Sequence, residues 1–138
     1  MKLLVIDGQG GQLGGNIIKA VIERFPEVDI TAVGTNANAT AAMVKAGAKK
    51  AATGENPVTV TVKTADIIIG PVGIVIADSM LGEITPKMAQ AVGSADAVRI
   101  LIPMNKCENI IAGVVNSSVS SLVSDALNKL GEILGKNA

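Results

Sequence analysis

The chain has 138 residues, of which 49% are hydrophobic and only 1% aromatic, with 12 basic and 12 acidic side chains and a mean hydropathy of +0.47. That length fits one domain with a core of Ile, Val, Leu, Ala and Met, and the charge balance argues against nucleic acid, whose binders carry a basic excess. With no histidine, tyrosine or tryptophan in the sequence, a Ser–His–Asp or Cys–His apparatus and a His-ligated metal are excluded.

Leu3 to Ile6 form a continuous apolar run bounded by a turn, the pattern of a strand buried on both faces. After a cluster of glycines, Leu13, Ile17, Ile18, Val21, Ile22 and Phe25 recur at helical spacing, with Lys19, Glu23 and Arg24 opposite and Pro26 closing the element. Residues 28–33 predict a second strand, 40–45 a short Ala-rich helix with Gly47 just past its end, and 49–52 a brief third strand. Residues 56–65 read two ways. Val58, Val60 and Val62 alternate with threonines as in a strand, while Asn56-Pro57 is a helix-start pair.

A buried strand is expected at 66–70, a helix over 74–81, and a better-marked helix from Thr85-Pro86 to Gly93. Residues 98–102 and 109–114 predict the last two strands. The C-terminal helix is the clearest element, with Val119, Leu122, Val123, Ala126, Leu127, Leu130, Ile133 and Leu134 on one face and Ser117 or Ser118 as its cap. Apolar strands alternating with helices imply an α/β protein: one doubly wound, mostly parallel, Rossmann-like sheet of about five or six strands with helices on both faces. The lone Cys107 excludes an internal disulfide. The N-terminus lacks the pattern of a secretory signal, and the apolar segment from Ile67 to Ala77 is too short and too broken by Gly and Pro to span a bilayer. The expectation is a soluble cytoplasmic protein without membrane or nucleic-acid partners, and the high hydropathy points to a homo-oligomer.

In a doubly wound fold, ligands sit beyond the carboxyl ends of the strands where the strand order reverses. The loop VIDGQGGQLGG, residues 5–15, follows the first strand there. Its Gly8, Gly11 and Gly14 fit a G-x-x-G-x-x-G spacing, whereas Leu13 stands where the commoner G-x-G-x-x-G needs a glycine. The segment Gly8, Gln9, Gly10, Gly11, Gln12, Leu13, Gly14 resembles the cofactor loop of short-chain dehydrogenases of the extended and atypical kinds. The resemblance implies that Gly8 makes the turn, Gly11 admits a pyrophosphate and Gly14 lets the helix pack on the strand. Free N–H groups at the helix start would hold the negative charge. It stops at the loop, because the Tyr-x-x-x-Lys pair of those enzymes needs a tyrosine.

Asp7, a carboxylate beside this loop, is either an Asx turn or a contact to ribose hydroxyls or a cation. The second strand ends without the acidic residue that usually binds a ribose. Asp29 lies at its opposite end, about 15 Å away at strand rise, and no arginine stands ready for a 2′-phosphate. Thr35, Asn36 and Asn38 could bond a ribose or cap the next helix. NAD or NADP is the expected cofactor, if there is one.

Three more loops should open on the same edge: Gly70, Pro71 and Gly73 in GPVG, the 34–38 segment GTNAN, and PMNKC at 103–107. Asp7, Lys106 and Cys107 are the candidates for chemistry, since a thiol beside a lysine can be a nucleophile but is more often a small buried hydrophobe. Asp78, Ser79 and Glu83 follow the GPVG loop, and the four-residue spacing of Glu83 and Lys87 suggests a pair on a helix surface. Met43, Met80 and Met88 read as core filler.

The ordered blocks VIDGQGG, GTNA, ATGEN, ADIIIGPVGI, SMLGEITPKMA and ILIPMNKC cover nearly all of residues 1–134. They resemble a small bacterial Rossmann-like family catalogued as domain of unknown function 3842. The resemblance implies a compact stand-alone Rossmann-like protein and adds no reaction. Three functions fit: a nucleotide- or dinucleotide-binding protein with phosphate on the glycine loop, a cofactor-dependent enzyme completed by a partner or second subunit, or a structural adaptor subunit that binds no small molecule.

Overall fold

In the computed structural model, residues 1–104, 108–115 and 118–135 are described. Five parallel strands make one sheet: β1 (Lys2–Asp7), β2 (Asp29–Gly34), β3 (Lys50–Thr53), β4 (Ile67–Pro71) and β5 (Val98–Ile102). Their spatial order is β3-β2-β1-β4-β5. The chain starts in the middle, winds outward through β2 and β3, then returns to β4 beside β1 and winds out the other way. The reversal therefore falls between β1 and β4, the place where such sheets leave a crevice at their carboxyl ends.

Period-2 alternation along the strands divides the core into two layers. Leu3, Val5, Ile67, Ile69, Ile100 and Ile102 face helices α1 (Gln12–Arg24), α2 (Ala37–Lys45) and α5 (Val119–Ile133). Leu4, Ile6, Val33 and Ile68 face α3 (Glu55–Thr61), α4 (Pro86–Gly93) and the segment between β4 and α4. Each fully buried Leu, Ile or Val is worth roughly 1.5–3 kcal/mol, so a sheet covered on both faces needs no aromatic core. No helix among the described residues is long and apolar enough to cross a membrane.

Two expectations change, and one open reading is resolved. Residues 56–65 are helical at their start: Val58 and Val62 are buried and Val60 is 53% exposed, so the valine alternation is an i, i+4 pair with an outward residue between. No helix spans 74–81. A 3-10 turn covers Val72–Val75, and Asp78, Met80 and Leu81 then have φ of 65°, 57° and 57°, a left-handed backbone that cannot continue a right-handed helix. Nor is there a sixth strand among the described residues. The 109–114 stretch forms no strand of the sheet, Ile110 is 95% exposed, and Gly113 turns the backbone at φ 84°.

Candidate functional site

The glycine loop sits at the switch point, between the end of β1 and the start of α1. Asp7 underpins it. Its Oδ1 accepts the Gly8 N–H at 2.8 Å and its Oδ2 accepts the Gly14 N–H at 2.7 Å, so one buried carboxylate ties the strand's end to the helix's first turn. Burial raises the Asp7 pKa, the two backbone hydrogen bonds oppose that rise, and the charge of Glu83 adds to it. The loop-stabilising reading of Asp7 matches this geometry, and both its oxygens are engaged.

The glycines meet protein. Gly11 caps α1 at φ 73° with no side-chain partner, and a Cβ there would lie 2.6 Å from the Ala39 carbonyl oxygen. Its absence of side chain lets α1 and α2 touch. A Cβ on Gly8 would lie 2.6 Å from both Met80 Sδ and Thr35 Oγ1, and one on Gly14 would lie 2.7 Å from Met43 Sδ. Close packing thus accounts for the G-x-x-G-x-x-G spacing. Gly10 differs: nothing lies within 4 Å of a Cβ built on it.

Glu83 closes the loop from the far side. Its Oε1 accepts three hydrogen bonds: from the Gln9 N–H at 2.9 Å, from Thr35 Oγ1 at 2.6 Å and from Asn36 Nδ2 at 2.8 Å. Burial pushes its pKa up, but the bonds from Thr35, Gln9 and Asn36 outweigh that and hold it below the usual glutamate value. Glu83 does not pair with Lys87. It precedes α4 and reaches instead across the sheet edge to the residues that follow β2. Asn36 ties these parts together, since its amide also donates to the Gln9 carbonyl at 3.0 Å and its oxygen caps α2 at the Ala39 N–H.

The segment that carries Glu83 is wound tightly. The Asp78 N–H donates to the Ile84 carbonyl at 2.7 Å, the Ile84 N–H returns to Ser79 at 3.2 Å, and Met80 and Ile84 anchor it in the core. The buried Ser79 hydroxyl donates to the Gly73 carbonyl at 2.5 Å. Gly70 and Pro71 close β4, and a Cβ on Gly70 would strike the Ile6 carbonyl. Of the sequence candidates, Asp7, the loop glycines, Thr35 and Asn36 come together, while Lys106 and Cys107 lie outside the described residues. Sequence reasoning missed Glu83. The available signal was an acid just outside the Thr85 cap, in a loop bound for the same edge.

The amides of the glycine loop fall into two sets. Those of Gly8, Gln9 and Gly14 go to carboxylates and that of Gly11 to the Gly8 carbonyl at 2.9 Å. Those of Gly10, Gln12 and Leu13 find no acceptor among the described residues. They are the donors a helix start leaves for an anion. No group of three or more metal-ligating side chains occurs among the described residues. A cleft of about 840 Å³ lies elsewhere, between α1 and α5.

No curated protein matches the sequence. Among solved structures the chain is similar to a dodecameric FMN-dependent UbiX-like decarboxylase from Escherichia coli O157:H7, at 14% identity, with 100% of this chain and 96% of that chain covered and a TM-score of 0.45. A likeness of that degree carries no argument about ligand, reaction or assembly. The family model for "Domain of unknown function (DUF3842)" aligns with residues 2–135, and the chain belongs to that family.

Proposed function

We propose that this protein binds a nucleotide or dinucleotide, with a phosphate held on the open amides of the glycine loop. The observation that carries the reading is the set of three N–H groups, on Gly10, Gln12 and Leu13, without an acceptor among the described residues at the switch point of the sheet. Backbone amides at a helix start, with the helix dipole behind them, favour an anion. The residues fit a nucleotide in a second respect. Thr35, Asn36 and Glu83 add hydrogen-bonding groups beside the loop, where a ribose would lie. Self-association belongs to the same reading, since Leu81 and Ile110 are almost fully exposed apolar side chains. Light scattering on the purified protein tests it.

The test of binding is a thermal-shift panel with NAD, NADP, FAD, ATP, S-adenosylmethionine and coenzyme A. A ligand at a hundred times its dissociation constant stabilises by about 2.7 kcal/mol. Gly10→Asp is the variant to pair with it. The space at Gly10 accepts a side chain, so the fold survives while a carboxylate meets the incoming phosphate. Gly11 would be the wrong choice, because any side chain there strikes α2 whatever the loop binds. A shift in wild type that disappears in Gly10→Asp supports the reading. A flat panel leaves a scaffold protein instead.

A further inference from the structure

We infer that the open edge of β5 pairs antiparallel with β5 of a second copy of this chain, about a two-fold axis at Ile100, so that two sheets become one. The inference rests on the self-association proposed above, gives it a surface, and does not depend on the nucleotide reading. β5 ends the order β3-β2-β1-β4-β5, so no strand lies on its outer side. The Val98 N–H donates inward to the Asp66 carbonyl at 3.0 Å. Main-chain groups alternate in direction along a strand, so those of Ile100 and Ile102 also face β4, while the N–H and C=O of Arg99 and Leu101 face outward. They find no partner among the described residues, and such a row is a template for another strand.

Proteins blunt their sheet edges with short strands, lysines, prolines or bulges. The opposite edge is blunted, since β3 has four residues and begins at the exposed Lys50, which pairs with Asp29. β5 has no such guard. Its register with β4 runs unbroken from Val98 to Ile102. Its one charge, Arg99, is folded back onto the carbonyls of Ala95 and Ala97 at 2.6 and 3.2 Å. Nor does α5 cover the edge: a cleft of about 450 Å³ runs beside Val98, the rest of β5 and the outer side of α5.

A second copy fits this edge by register and by charge. A two-fold at Ile100 sets Arg99 opposite the partner's Leu101, and Leu101 opposite the partner's Arg99, so every outward N–H and C=O is met. A two-fold at Arg99 would oppose two like charges. One at Leu101 would set Arg99 against Pro103, which has no N–H to give. Only the first register leaves neither fault. It also covers the exposed Val98 with the partner's Ile102, on the face where α5 presents Leu122 and Ile133. The charged residues lining the cleft are Arg99 and Lys129 against Asp125 and Glu132, so a copy of the same surface meets no net repulsion.

Multi-angle light scattering on the full chain should give a dimer, or an even multiple, of the 13.9 kDa subunit. Leu101→Pro removes one outward N–H from each copy and leaves the bonds to β4 in place. With folding checked by circular dichroism, it should weaken the dimer at least about thirtyfold, the scale of two lost hydrogen bonds. In a Cys107→Ser background, Ile100→Cys places two thiols at a non-hydrogen-bonded pair, with Cα atoms about 4.5 Å apart, within disulfide reach. Mild oxidation should cross-link it between copies, whereas Val98→Cys, which faces Ile102 in this register, should stay single. A wild-type monomer overturns this inference together with the self-association reading, and leaves nucleotide binding untouched. A wild-type dimer in which Ile100→Cys does not cross-link, Val98→Cys cross-links as fast, or a folded Leu101→Pro associates as tightly overturns this inference alone, and the copies then meet elsewhere. Should Leu101→Pro fail to fold, the two cysteine variants decide.

Discussion

Asp7→Asn replaces one carboxylate oxygen with an amide nitrogen and should destabilise the protein by about 2 kcal/mol, the middle of the range for leaving a buried donor without its acceptor. The carboxylate now serves two buried N–H groups, those of Gly8 and Gly14, at 2.8 and 2.7 Å. Asparagine offers one acceptor and one amide donor, so one of the two N–H groups faces another donor. Removing a charge that burial disfavours returns part of the loss, which is why the cost stays below the sum of two charged hydrogen bonds. Asp7→Ala strands both amides and should cost more, roughly 3–4 kcal/mol. At this chain length 2 kcal/mol lowers the melting temperature by about 8 °C. Circular dichroism must report it, since the chain has no Trp or Tyr.

The pH dependence sharpens the test. Because Asp7 has a pKa raised above its usual 3.8, the folded state holds that proton more tightly than the unfolded one. Its contribution to stability is full below the unfolded value and declines as pH rises through the raised folded value. Asparagine does not titrate. The deficit of Asp7→Asn relative to wild type should therefore be larger near pH 3.5 than at neutral pH. An Asn variant that melts with wild type at both pH values would refute the role of the Asp7 carboxylate as the tie between β1 and α1.

Glu83 carries the opposite sign. Its folded pKa lies below the usual 4.5, so its contribution is present above that value and lost as pH falls through the folded one; melts of Glu83→Gln should lack this acid-side loss. Gly11→Ala should cost more than about 2 kcal/mol in chemical denaturation, since it adds left-handed strain to a contact with Ala39. Thr85→Ala should cost about 1 kcal/mol by the same assay, because Thr85 Oγ1 both caps the Met88 N–H and donates to Glu55. Leu81→Gly should leave stability unchanged or raise it slightly, as the fully exposed leucine loses no packing and its φ of 57° suits glycine.

Much of the architecture was legible because it is written in local periodicity. The apolar runs at Leu3–Ile6 and Ile67–Ile69, bounded by turn residues, read as strands covered on both faces, and the face of α5 follows from its 3.6-residue repeat. The site was legible in part. The strand–glycine–helix order located the loop, and Asn36 was recognisable as a residue able to cap α2. The reason for each glycine was not legible, because Ala39, Met43 and Met80 come to them from other elements. Glu83 was hidden for the same reason. It lies 74 residues from Gln9 in the chain, and its i, i+4 spacing to Lys87 suggested a local partner it does not take. The helix expected at 74–81 failed because composition does not reveal a left-handed backbone at non-glycine residues.

That backbone has a bearing on how the carboxylate is kept in place. Asp78, Met80 and Leu81 are coiled against the handedness their own side chains prefer, and the turn would recoil without its tethers at Ser79, Met80 and Ile84. The address of Glu83 is thus set by residues that do not bond to its carboxylate. Erosion of any tether should blur the carboxylate's position while leaving the sheet beneath it intact.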